Sequence, residues 1–155
     1  MYINKIKELY KKHAKDKEDK IFLAIFILTI IINLYFFTKT YSQALWFDEA
    51  DYLNYGKYLA FGSPEWALGA VRPPLFSLIS ALFFKIGLGE IGLRVLMLIA
   101  GISNTLLIYL IGKELDSKKV GLIAAIAMAS FWSSLFFTSR MLVDVPVLTL
   151  WLLAT

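Results

Sequence analysis

The chain has 155 residues, of which 59% are hydrophobic and 15% aromatic, and its formal charge at neutral pH is +4. A soluble domain of this size needs more polar surface than that, so the composition points to a membrane protein. It contains no cysteine, which excludes disulfides, thiolate metal sites and a thiol nucleophile.

Residues 1–20 form a basic leader. Lys5, Lys7, Lys11, Lys12, Lys15, Lys17 and Lys20 all precede the first apolar run. Such a cluster stays cytoplasmic, close to anionic lipid heads. Glu8, Asp16, Glu18 and Asp19 dilute it and an apolar anchor follows at once, which argues against nucleic acid as a partner. Ile3, Ile6 and Leu9 repeat at helical spacing and predict a helix on the membrane surface. The run 21–37, "IFLAIFILTIIINLYFF", would be about 26 Å long as a helix. It reads as an uncleaved transmembrane helix with the N-terminus inside. The rival reading is a signal peptide cut after Ser42-Gln43-Ala44, but both the apolar core and the charged leader are too long for one.

Three further apolar stretches follow, at 73–88, 91–112 and 120–139, and another begins at 145. If each were a crossing, the lysines of "KELDSKK" (113–119) would lie outside, against the positive-inside rule. The conflict resolves if 73–88 does not cross. It is short of the roughly 20 residues a span needs, it opens on Pro73-Pro74, and it carries Ser77, Ser80 and Lys85. Residues 38–90 then form one large external loop with interfacial helices at about 48–61 and 73–88. Transmembrane helix 2 is 91–112, the cytoplasmic loop 113–119, transmembrane helix 3 120–139 and the next external loop 140–144. A fourth span starts at 145 and is still running at Thr155, so the 155 residues are expected to be the front of a longer protein. Asp144 then emerges on the same face as Asp48. Gly121, Ala125 and Ala129 recur every four residues and predict close helix packing. Glu90 and Arg94 are spaced to pair at a helix entrance.

The segment "ALWFDEADYLNYGKYLAFG" places Asp48, Glu49 and Asp51 together just after the first apolar run. Asp48 has two readings. As an N-cap it would satisfy an orphan N–H, with Gly62 as the stop and Tyr52, Tyr55, Tyr58 and Phe61 facing an aromatic belt. As a functional acid it would sit beside lipid, where carboxylates are costly and have a task. Asp144, with Pro146 just inside a helix start, has the same two readings. Arg72, before Pro73-Pro74, is either a snorkelling side chain or a phosphate clamp.

The order "FDEADYLNYGKYLAFG … VRPPLFSLISALFFKIG … FTSRMLVDVPVL" resembles the N-terminal region of GT-C glycosyltransferases of the protein-mannosyltransferase and aminoarabinose-transferase type. The resemblance implies an all-α, multi-span membrane bundle in the cell membrane. It implies a sugar donor linked to polyprenyl or dolichyl phosphate, and an acceptor protein, lipid or glycan on the extracytoplasmic side. It also implies roles for individual residues: Asp48 as the catalytic carboxylate, Glu49 as its partner, Asp144 as the second acid, and Arg72 at the position that reaches the carrier phosphate. Some relatives carry Lys or His where this chain has Arg72. Some bridge such acids, here Asp48 and Asp144, with a divalent cation, and oxygen ligands suit magnesium or manganese. The expectation is an inverting transfer with Asp48 as general base. The alternatives are a non-catalytic polytopic protein, such as a transporter or lipid-carrier scaffold, and an inactive piece of the enzyme.

Overall fold

The computed structural model describes residues 17–62, 72–138 and 140–155. The leader through residue 16, with its expected surface helix, lies outside the described residues, as do 63–71 of the expected outer loop and Ser139. The described residues are all-α, with no strand among them. The helices are α1 (Lys17–Thr40), α2 (Phe47–Phe61), α3 (Pro74–Lys85), α4 (Gly89–Leu115), α5 (Lys118–Ser130), α6 (Trp132–Thr138) and α7 (Asp144–Leu153).

α1 has its polarity inverted relative to a soluble helix. Its buried residues are Thr29 and Asn33, while Ile27, Leu28, Ile31 and Leu34 are exposed. The two buried polar side chains donate to their own helix, Thr29 Oγ1 to Ile25 O and Asn33 Nδ2 to Thr29 O, each at 2.9 Å. The helix therefore needs no water and turns its apolar side chains outward, as hydrocarbon requires. α1 and α4 are both long and apolar enough to cross a membrane.

Polar groups fasten the helices at both ends. At one end Asp19 accepts from the Tyr109 hydroxyl at 3.1 Å and from Lys118 Nζ at 2.8 Å, and the Phe22 ring stacks on Tyr109 with centroids 3.7 Å apart. At the other end Arg94 pairs with Glu90 at 2.7 Å, as their spacing predicts, and also donates to Gln43 O at 3.1 Å and Thr40 O at 3.4 Å. Arg94 thus places a positive charge on the carbonyls that close α1, where the helix dipole favours one. These contacts make α1 and α4 antiparallel. α5 returns alongside α1 on its small-residue face: Gly121 and Ala125 are buried against α4. A Cβ on Gly121 would come within 2.6 Å of the Tyr109 carbonyl oxygen.

The stretch 120–139, expected as one continuous helix, is carried by two. Ser130 turns its hydroxyl back to Ile126 O at 2.8 Å and Ala127 O at 3.2 Å, and Phe131 is extended before α6 begins. Back-bonding by serine weakens the helix here, and a run of aromatic and serine residues does little to restore it. α6 instead seats its rings on neighbours, Trp132 against Phe36 and Phe136 against Trp46, at centroid distances of 6.0 and 5.4 Å.

α2 and α3 lie side by side and run in the same direction. Tyr52 meets Phe76 edge-on at 5.3 Å near their starts, and Phe61 meets Phe84 at 6.3 Å near their ends. α3 has 12 residues, about 18 Å, which is short of a span. α2 stops where expected: Gly62 takes a left-handed φ of 75° and its N–H closes on Tyr58 O at 2.7 Å. Tyr52, expected in an aromatic belt, is 4% exposed and sits in the core with Leu53, Phe76, Leu93, Met97 and Met141.

Candidate active site

The first turn of α2 does not use Asp48 as its cap. The N-cap is Trp46, and Asp48 is already inside the helix, exposed. The capping bond comes from Glu49, whose Oε2 accepts the Trp46 N–H at 2.6 Å. A glutamate at the third helical position reaching back in this way is half of a capping box. It leaves the Asp48 carboxylate free of any backbone duty.

Glu49 is fully buried, and both of its oxygens are engaged. Oε1 accepts the Met141 N–H at 2.7 Å, and Oε2 lies 3.5 Å from Arg140 Nη1. Arg140 is itself held, donating to Ala44 O at 3.1 Å and stacking on the Trp46 ring at 4.4 Å. A buried carboxylate without partners would cost several kcal/mol; here two N–H groups and a guanidinium offset that cost. The cluster ties the start of α2 to the segment between α6 and α7.

Arg72 lies at the start of α3, and parallel packing sets that beside the start of α2. Its Nη2 pairs with Asp48 Oδ1 and its Nε donates to Asp51 Oδ2 at 3.1 Å. The guanidinium is pushed above its ordinary range, chiefly by the bond to Asp51, and so stays charged at any working pH. Asp144 is the first residue of α7, exposed, with Val143 rather than Asp144 at the N-cap. Tyr52 reports how these charges gather. Burial pushes its phenol up; Arg72 opposes this, and Asp48, Asp144 and Asp51 add to it. Asp48, Asp51, Asp144 and Arg72 therefore all bear on the phenol of one tyrosine.

Among the described residues no three of His, Cys, Asp and Glu gather in a group that could hold a metal ion. The cation between Asp48 and Asp51 is the Arg72 guanidinium, and magnesium or manganese would have to displace it. Two clefts flank the acids. One, of about 200 Å³, lies at the α5–α6 break and is lined by Asn104, Phe131, Ser133, Asp144 and Leu148. The other, also about 200 Å³, is almost wholly apolar and runs between α3 and α7 from Pro73 past Phe76 and Ile79 to Val143, Pro146 and Leu150.

The four residues singled out from sequence do not form one constellation. Asp48 and Arg72 meet, Asp144 is near enough to act on the same tyrosine, and Glu49 faces inward. Two contributors had no role in the sequence reading. Asp51 stood one turn after Asp48, so its spacing was a signal. Arg140 sat four residues before Asp144, and a lone cation at the edge of an apolar stretch calls for an anion such as Glu49.

The fold and site define an all-α membrane protein with acids and an arginine gathered where one end of a pair of antiparallel apolar helices meets two short helices. The family model described as dolichyl-phosphate-mannose-protein mannosyltransferase matches residues 71–155, more than half of the chain. The chain belongs to that family, which makes it a membrane glycosyltransferase of the GT-C type. Neither a curated protein nor a solved structure matches it.

Proposed function

We infer that the protein transfers a sugar from a polyprenyl- or dolichyl-phosphate carrier to an acceptor hydroxyl at the extracytoplasmic membrane face, with Asp48 as general base. The observation that carries this reading is the pairing of an exposed carboxylate, free of capping duty, with Arg72, the residue next to Pro73 in the lining of an apolar groove. A lipid-linked donor has the matching parts, an anionic phosphate joined to an isoprenoid tail. In the reaction the acceptor oxygen bonds to the anomeric carbon while its proton passes to Asp48. The bond from that carbon to the carrier phosphate breaks, and the electron pair leaves on the phosphate oxygen. Arg72 offsets the charge that develops there. A single displacement inverts the anomeric centre. Glu49 and Arg140 act by position, holding the first turn of α2 against the segment that leads to Asp144. Asp144 orients the acceptor or tunes Asp48. The N-terminus is cytoplasmic, the chain is multi-pass, and Asp48 and Asp144 share the outer face.

The test is Asp48→Asn. Asparagine fits the same helix position but cannot take a proton at neutral pH. Expression and thermal stability should stay near wild type, while sugar transfer falls by roughly 10²-fold or more, the scale for losing a positioned base. Asp144→Asn should lose less. A folded Asp48→Asn protein that transfers sugar at the wild-type rate removes the base assignment.

A further inference from the structure

Arg72 touches two acids of unequal exposure. The Asp51 side chain is 13% exposed and accepts from Nε; the Asp48 side chain is 51% exposed and accepts from Nη2. A guanidinium carries five N–H donors in a rigid fork, and the two acids take two of them. The Arg72 backbone is stiff, because a residue before proline is confined to extended conformations, and Pro74 follows Pro73. The part free to move is therefore the end of the side chain, pivoting about an Nε held at 3.1 Å by the less exposed acid.

We propose that Asp51 is a positioning residue that holds Arg72 at Nε, while Nη2 exchanges between Asp48 in the donor-free protein and the carrier phosphate once the donor is seated. This rests on the reading of Asp48 as the base. Without donor, one oxygen of the base is covered by Nη2. When a phosphate arrives, one charge-assisted hydrogen bond is traded for another, so the exchange costs little. Negative charge building on the phosphate as the sugar departs keeps Nη2 there. Asp48 is thus uncovered only when there is a donor for it to serve, and Asp51 sets the reach of the arm.

The test uses the protein in lipid nanodiscs, and its first readout needs no sugar transfer. Coupling of an amine to carboxylates by a water-soluble carbodiimide is quantified at Asp48 and Asp51 by mass spectrometry. The probe is a sugar-free polyprenyl phosphate, with neutral polyprenol as control. Polyprenyl phosphate should raise coupling at Asp48 several-fold and leave Asp51 unchanged, and polyprenol should do neither. Asp51→Ala should abolish the response and raise the donor KM by about tenfold, with kcat falling less. Asp51→Asn keeps an oxygen for Nε and should restore most of both. The proposal is overturned if Asp48 coupling in the wild type ignores polyprenyl phosphate, or if Asp51→Ala responds in full. A coupling response found together with a fully active Asp48→Asn protein overturns the base reading instead.

Discussion

Met141 N–H donates to Glu49 Oε1 across 2.7 Å and 92 residues of sequence. The bond joins the first turn of α2 to the link ahead of α7, and it is made to a carboxylate with no exposure to solvent. Asp48 precedes Glu49, and Asp144 lies three residues beyond Met141. The buried contact therefore fixes the spacing of the two exposed acids.

Glu49 should accordingly matter for stability before it matters for chemistry. Glu49→Ala leaves the Arg140 charge without its carboxylate and two backbone N–H groups unpaired, and should cost about 3–5 kcal/mol. Glu49→Gln keeps the shape but sets an amide N–H against a backbone donor, for roughly 1–3 kcal/mol. Thermal unfolding in detergent reads both. Equal stability of Glu49→Ala and wild type would show that the carboxylate is not a structural tie.

Arg94 and Glu90 form a pair whose members should behave differently. Arg94 is 2% exposed and closes the carbonyls of Thr40 and Gln43, whereas the Glu90 side chain is 43% exposed. Arg94→Met should destabilise by about 1–3 kcal/mol, and Glu90→Gln by less than about 1 kcal/mol. The same unfolding measurement checks both, and equal losses would assign the stabilisation to the Arg94–Glu90 pair alone.

Gly121 and Gly62 test two different reasons for glycine. Gly121→Ala drives a Cβ to 2.6 Å from the Tyr109 carbonyl and should separate α4 from α5 at about 1–3 kcal/mol, the scale of overpacking. No described residue lies within 4 Å of a Cβ built on Gly62, but its φ is +75°, so Gly62→Ala should cost only about 1 kcal/mol. Introducing Ala at both sites should give additive losses, since the two sites are unrelated.

Arg72 separates phosphate binding from snorkelling. Arg72→Ala should weaken use of the lipid-linked donor, and Arg72→Lys should keep part of it, because a point charge still attracts phosphate. Steady-state KM for the donor is the readout. Wild-type transfer by Arg72→Ala would end the clamp role.

Orientation can be read with single cysteines, since the chain has none of its own. Lys119→Cys lies by the Asp19–Lys118 end of the bundle, and Tyr41→Cys by the opposite end near Arg94. A membrane-impermeant maleimide on intact cells should label Tyr41→Cys and spare Lys119→Cys. Labelling of both from outside would overturn the outward placement of the acids.

The sequence by itself determined whatever depends on composition and short-range spacing. An apolar, cysteine-free chain with hydrophobic runs near the length of a span pointed to a helical membrane protein. Gly62 as a helix stop, the Glu90–Arg94 pair and the small-residue face at Gly121 and Ala125 are all set within a helical turn or two. The tertiary structure decided which distant groups meet. Whether α3 runs with or against α2 is invisible in either helix alone, yet the parallel choice carries Arg72 over 24 residues onto Asp48. Adjacent positions on a helix point about 100° apart, so neighbours such as Asp48 and Glu49 face different surroundings. Which of the two is buried was settled by where Arg140 and Met141 pack. The break at Phe131 likewise needed partners, because Trp132 and Phe136 gain rings to lie against only once α1 and the start of α2 are in place.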